Sequence, residues 1–357
     1  MQKSCWKVFL ILLGWGAGAQ AQKPLDIHPL DGQQTPAQAA GPISLEVVVS
    51  DKSGHAIPGL EQGDFSLLDN KQPVTIRSFT AHTLEDPGDD SETMILLIDD
   101  INANFNAVSI VRTQIEKFLH ANAGHLPLPV AIFMLTDTGL SEVSPASSDG
   151  NAISSVLHQK EGALHSIPRS AGFYGAEERT QGSLHALGRM GSYLNSTKGR
   201  KLLVWLGPGW PIFDNPNVII SEQQQRGFFS AVVAFSAMLR DADITIDSID
   251  PLGAGEAANA RNFTWESFTK PVMKPTQANP GNLALQVLAT QTGGLVRWGS
   301  NDLAGEIDKC VENASAWYTI AFDPQRSDSP NAWHDLRVKI DKPHMEAHTS
   351  NGYYAQP

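Results

Sequence analysis

The chain has 357 residues, with 38 acidic against 26 basic side chains and a formal net charge of −12 at pH 7. That balance favours solubility and argues against a phosphate-backbone partner, which takes a concentrated Lys/Arg face that this sequence lacks, so nucleic acid is not expected. The only cysteines are Cys5 and Cys310; with Cys5 inside an N-terminal leader, no internal disulfide is expected and packed cores must supply the stability.

In chain order, residues 1–21 join Lys3 and Lys7, the apolar run Val8 to Trp15 and the small-x-small site Ala19-Gln-Ala21. This is the pattern of a signal peptide cut after Ala21. The run falls well short of the roughly 20 apolar residues that span a bilayer, and no later uncharged segment reaches that length. The expectation is an exported protein, periplasmic or extracellular, without a transmembrane segment. Residues 22–40 are polar, carry Pro and Gly and show no periodicity, as a disordered leader does.

Order begins near Ile43. Residues 41–82 predict three short strands, around Ile43 to Val49, Phe65 to Leu68 and Val74 to Phe79, the first with Ile43, Leu45, Val47 and Val49 on one face. A segment of about 40 residues cannot bury enough surface alone. Residues 314–357 alternate in the same way at Trp317 to Phe322, Leu336 to Ile340 and Ala347 to Tyr353. One β-sandwich built from both ends of the chain is predicted.

Between them, residues 93–313 alternate apolar strands with amphipathic helices, the mark of an α/β domain with a doubly wound, mostly parallel, Rossmann-like sheet. The strands are continuous apolar runs, Met94 to Ile98, Val130 to Leu135, Leu202 to Leu206, Ile244 to Ile249 and Leu295 to Trp298. Helical stripes run through Val108, Val111, Ile115 and Phe118, and through Leu184, Leu187, Met190 and Leu194; Phe228 to Leu239 reads as a buried helix. Cys310 shares a face with Leu303, Ile307 and Val311, as a buried structural thiol would. Residues 251–281, with Phe263 and Trp265, form a connection longer than the roughly 12 to 15 residues usual for loops. It reads equally as a recognition loop or an unstructured insert.

The segment ISLEVVVSDKSGHAIPGLEQGDFSLLDNKQPVTIRSF, followed in order by MILLIDDINANF, VAIFMLTD, GRKLLVWLGPGWP, ITIDSIDPLG, TGGLVRWGSNDL and the terminal NGYYA, resembles bacterial secreted VWFA-related domain proteins. The resemblance covers most of the chain after the leader. It implies a von Willebrand factor A-type domain with a flanking β-domain and a binding role, and names no ligand.

Acids gather where strands are expected to end: Asp99 and Asp100 after Met94 to Ile98, Asp137 after Val130 to Leu135, Asp247 and Asp250 in and closing the strand Ile244 to Ile249. In open α/β sheets that edge is where ligands bind, and hard divalent cations such as Mg²⁺ take oxygen ligands there. The resemblance implies Asp-x-Ser-x-Ser after the first strand, a Thr on a later loop and an Asp after the fourth strand. Asp100-Ile-Asn102-Ala-Asn104 has the spacing with Asn for both serines, while counting from Asp99 gives Ile101 and Ala103. Thr180 fits the Thr position if it opens the helix carrying Leu184. The strand taken for that position, Leu202 to Leu206, runs into Gly207-Pro208-Gly209 with no acid, and Asp214 lies beyond. The candidate loop is therefore Asp99, Asp100, Asn102, Asn104, Thr180 and Asp137, with Asp99 and Asp100 as metal ligands; a bound cation, Mg²⁺ or another divalent ion, is expected to be weak or absent. In the competing structural reading, Asp99 and Asp100 cap the first helix.

No Gly-x-Ser-x-Gly, His-Glu-x-x-His or phosphate-loop motif is present. His120, His125, His158, His165 and His185 form no i, i+4 ligand pair. Gly207-Pro-Gly-Trp-Pro211 with Trp205 reads as an aromatic contact surface or as a self-packed turn. The expectation is a non-enzymatic binding or adhesion module for an unknown protein or envelope ligand, with no catalytic residue. The alternatives are a metal-assisted hydrolase using Asp99, Asp100, Asp137 and Asp250, and a passive envelope scaffold.

Overall fold

The computed structural model describes residues 41–86, 91–159, 172–210, 220–253, 265–325, 327 and 329–355. The expected signal peptide and leader, Phe263, His165 and Asp214 lie outside them. The strands β1 (Ile43–Ser50), β2 (Phe65–Asp69), β3 (Gln72–Val74) and β4 (Ile76–Thr83) come first. Next are β5 (Thr93–Asp99), α1 (Phe105–Leu119), β6 (His125–Thr136), β7 (Gly139–Asp149), α2 (Gly150–Gln159), α3 (Gly172–Leu194) and β8 (Lys201–Leu206). The middle of the chain continues with α4 (Glu222–Asp241), β9 (Ile244–Gly253), α5 (Leu285–Gln291), β10 (Val296–Gly299) and α6 (Leu303–Asn313). Last are β11 (Ala316–Phe322), β12 (Ala332–Ile340), β13 (Glu346–His348) and β14 (Gly352–Ala355).

The central sheet runs β10-β9-β8-β5-β6-β7. Its pairs are parallel except β6 with β7. The apolar runs explain the layering. Ile95, Leu97, Leu203 and Trp205 point to one face, where α3, α4 and α5 pack with Leu187, Met190, Phe228, Phe235 and Leu288. Met94, Leu96, Ile98, Leu202 and Val204 point to the other, under α1, α2 and α6 with Val111, Ile115, Leu157, Ile307 and Cys310. A strand covered on both sides has no polar face to show, hence no alternation. The fold is thus the doubly wound α/β architecture expected, and strand order reverses between β5 and β8.

The expected strands Val74 to Phe79 and Ala347 to Tyr353 are each split between the two sheets of the sandwich, as β3 with β4 and β13 with β14, and β7 was not foreseen. β7, GLSEVSPASSD, buries only Val143 and Ser144 fully along its length. As an antiparallel edge strand it keeps polar residues and Pro145 in solvent, so it carries no apolar run to announce it.

The two ends of the chain form the sandwich, with sheets β13-β1-β11-β4 and β14-β12-β2-β3. β1 pairs with β11, Ile43 facing Phe322, and β2 with β12, Leu67 facing Val338. Leu45, Val47, Phe65, Tyr318, Ile320, Leu336 and Tyr353 fill the space between. The α/β domain is inserted between these strands in sequence.

The described residues 265–281 of the long connection, with Leu283 just beyond it, are neither free loop nor rim. Val272, Ala278 and Leu283 join the core on the α3/α4 face. Tyr354 Oη donates to the Val272 carbonyl at 3.1 Å and Trp210 Nε1 to that of Leu283 at 2.9 Å. Among the described residues no helix is long and apolar enough to cross a membrane.

Candidate functional site

β5 delivers Asp99 to the strand-order reversal, fully buried. The chain then turns so that Asn104 starts α1, its side-chain oxygen accepting from Ala107 N at 2.7 Å. The helix cap is therefore Asn104, and neither Asp99 nor Asp100 fills that role. Asp100 is half-buried and its backbone N donates to the Leu135 carbonyl at 2.9 Å.

Donors surround the Asp99 carboxylate. Oδ1 accepts from the Asn102 backbone N and from its side-chain Nδ2, both at 3.0 Å. Oδ2 accepts from Asn102 Nδ2 and from Trp205 Nε1, both at 2.9 Å. Asn102 Nδ2 also meets Ser183 Oγ on α3 at 2.9 Å. Gly207 closes the remaining side, because a Cβ there would lie 2.5 Å from Asp99 Cβ. Burial raises the Asp99 pKa, and the bonds from Trp205 and Asn102 work against that rise.

A hard cation at this point needs open oxygen lone pairs and, in place of the serines, further hydroxyl or carboxylate oxygens. Here both Asp99 oxygens already accept N–H bonds, and the Asn102 amide nitrogen lies across them. These residues do not fit a cation bound in the ordinary way. Asn102 turns its Oδ1 away, buried and without a hydrogen-bond partner.

The other candidates are scattered. Thr180 does not open its helix: it lies inside α3, 5% exposed, with Oγ1 donating to the Ala176 carbonyl at 3.0 Å. Ser183, three residues on, is the hydroxyl that reaches the loop. Asp137 is exposed in the turn between β6 and β7. Asp247 is buried within β9, accepts from Leu295 N at 2.7 Å, and has its pKa raised by burial. It lines a cavity with Arg200, Cys310 and His348 at the seam between the domain and the sandwich, away from the Asp99 loop. Cys310 is itself fully buried, with its thiol pKa pushed well up by desolvation. Among the described residues no three His, Cys, Asp or Glu side chains come together as a metal site.

Trp205 and Trp210 pack edge to face at 5.4 Å, both buried, so the Gly-Pro-Gly turn covers its own tryptophans. Sequence reasoning missed the Trp205 bond to Asp99, because nothing local in a buried strand marks which side chain faces the neighbouring strand's acid. What this edge does present is Phe105, 68% exposed in the first turn of α1 directly after Asn104. Trp298, 52% exposed, lies near the end of β10.

No family model and no curated protein matches the chain. Among solved structures, an aerotolerance-related membrane protein from Bacteroides fragilis is 13% identical, covering 62% of this chain and 98% of its own, with a TM-score of 0.33. The human COPII-coat protein Sec24c is 9% identical, covering 78% of this chain and 46% of its own, at 0.36. The SpRpn10 VWA domain is 13% identical, covering 61% and 93%, at 0.25. Similarities this low say nothing of activity or partner, and the fold rests on strand order and register.

Proposed function

We propose that this chain is an exported, non-catalytic protein-binding module of von Willebrand factor A type that engages its partner through the rim around Phe105 without a bound cation. The observation that carries the reading is the Asn102 amide across both oxygens of Asp99, which removes the ligand a cation would need most. Asp99 is buried under its own N–H donors while Asp137 is exposed in the β6–β7 turn, which supports the non-catalytic part, since metal-assisted hydrolysis requires carboxylates that converge on an open position. A large exposed aromatic beside amide side chains is the kind of anchor protein interfaces use.

Affinity capture from envelope extracts tests it, with wild-type protein in Mg²⁺ and in chelator, and with Phe105→Asp. The expected result is the same captured protein under both ionic conditions and its loss with Phe105→Asp. Capture that vanishes in chelator removes the cation-free reading; capture indifferent to Phe105→Asp removes the rim.

A further inference from the structure

β4 is the outer strand of the sheet β13-β1-β11-β4. Two hydrogen bonds fix which way its backbone faces. Leu84 N donates inward to the Ser315 carbonyl at 3.2 Å, while Thr83 N turns away to the Asp86 carbonyl at 3.3 Å. Backbone bonding alternates along an antiparallel strand. His82, Thr80 and Ser78, opposite Trp317, Thr319 and Ala321, therefore bond into β11. Phe79 and Ala81 point their N–H and C=O out of the sheet, and outside the ladder no backbone hydrogen bond joins either to a described residue.

Edge strands are commonly guarded by Lys, Pro or a bulge. Ser78 to Thr83 contains no Lys, Arg, Asp or Glu and no proline, and the irregularity in pairing lies before it, next to Ile76. Ser78, Thr80 and Ala81 are exposed.

We propose that β4 pairs antiparallel with β4 of a second copy of this chain, about a two-fold axis through Thr80. In that register Phe79 faces the mate's Ala81 and exchanges both backbone bonds with it, and the symmetry repeats the exchange, so the outward groups of Phe79 and Ala81 all find partners. A large side chain meets a small one in each such pair. The Phe79 ring, already 5.1 Å from Phe65 and 5.6 Å from Tyr318, gains cover at the open end of the sandwich core. Ser78 faces His82, and Thr80 faces its own mate. Arg77, the charged side chain of the strand, is paired with Asp323 at 2.9 Å and faces neutral Thr83, so no like charges meet. An axis at Phe79 would set the two rings against each other and leave Ala81 opposite the irregular Arg77; an axis at Ala81 would need the Thr83 N–H already given to Asp86. The strand is its own complement in one register, which is what an isologous two-fold contact requires. So short a pairing buries less than the roughly 1,000 Å² of a stable interface, so the dimer forms with rising concentration.

Two measurements test this. A pair flanked by exchanging residues is a non-bonded pair with Cα atoms about 4.5 Å apart, within disulfide reach. Thr80→Cys should oxidise to a covalent dimer, whereas Ser78→Cys, set opposite His82, should not; native Cys310 is buried and does not interfere. Light scattering across a concentration series should show wild-type protein passing from monomer to dimer. Ala81→Pro should abolish that transition while leaving the circular dichroism and melting temperature unchanged, because the Ala81 N–H takes no part in the β11 ladder. Monomer at every concentration, equal cross-linking of both cysteines, or a dimer that survives Ala81→Pro with its fold intact would each overturn the proposal. A monomer that instead takes up an extended peptide of a different protein along β4 would overturn it as well.

Discussion

Tyr353 donates its hydroxyl to the Asp69 carboxylate at 2.7 Å, joining residues 284 positions apart in the chain. His334 Nδ1 meets the same carboxylate at 2.8 Å, and all three side chains are buried. A polar clasp therefore joins β2 to β12 and β14 within one sheet of the sandwich, beside the apolar core, and burial with the Asp69 bond pushes the Tyr353 pKa up. Tyr353→Phe leaves a buried acceptor short of a donor, a loss of about 1 to 3 kcal/mol in urea unfolding. Deleting residues 315–357 removes β11 and β12, the partners of β1 and β2. Limited proteolysis of that truncation should then cut within residues 43–83, and full protection there would contradict the shared sandwich.

Asn102→Asp sets a second carboxylate against buried Asp99. With no cation to separate them, the variant should melt well below wild type in chelator, by an amount on the order of 3 kcal/mol or more, the cost of an uncompensated buried charge. Mg²⁺ should then restore part of the loss, since a ligand that binds only the folded state stabilises it, by about 2.7 kcal/mol at a hundred times its dissociation constant. The wild-type melting temperature should not move with Mg²⁺. A wild-type rise that Asp99→Asn abolishes would show that the amide-filled loop still takes the ion.

Glu92 is fully buried against Arg200, 2.7 Å away, and desolvation raises its pKa from 4.5 to about 7 despite the Arg200 charge. The folded protein thus holds this proton more tightly than the unfolded chain does. Stability from this group is fully present below about 4.5 and is lost as pH rises through about 7. Urea midpoints at about pH 5 and about pH 8 should differ in that direction, and Glu92→Gln should flatten the difference. A Glu92→Gln slope equal to wild type would assign the dependence to other groups.

Export is expected to leave a mature chain beginning at Gln22. Intact-mass measurement on protein from the native host reads this directly. A mass that retains Met1 to Ala21 in a membrane fraction would make the segment an anchor.

The sequence by itself determined the layers. Continuous runs such as Leu202 to Leu206 read as strands covered on both faces, and the alternation from Ile43 to Val47 as a strand covered on one, because burial imposes its period on local composition; further along β1, Val48 and Ser50 are buried as well. It also put Asp99 at a strand end. It did not show β7, whose edge position removes the apolar signal, nor the start of α3, which moved the useful hydroxyl from Thr180 to Ser183 by about one helical turn. Only the tertiary structure decided what meets Asp99: Trp205 from β8, 106 residues away, and Asn102, itself held by Ser183 81 residues away. Those contacts depend on the register between strands and on the rotation of a helix about its own axis. Neither leaves a trace in the spacing of residues along one segment, since any register that buries the same faces satisfies the same pattern.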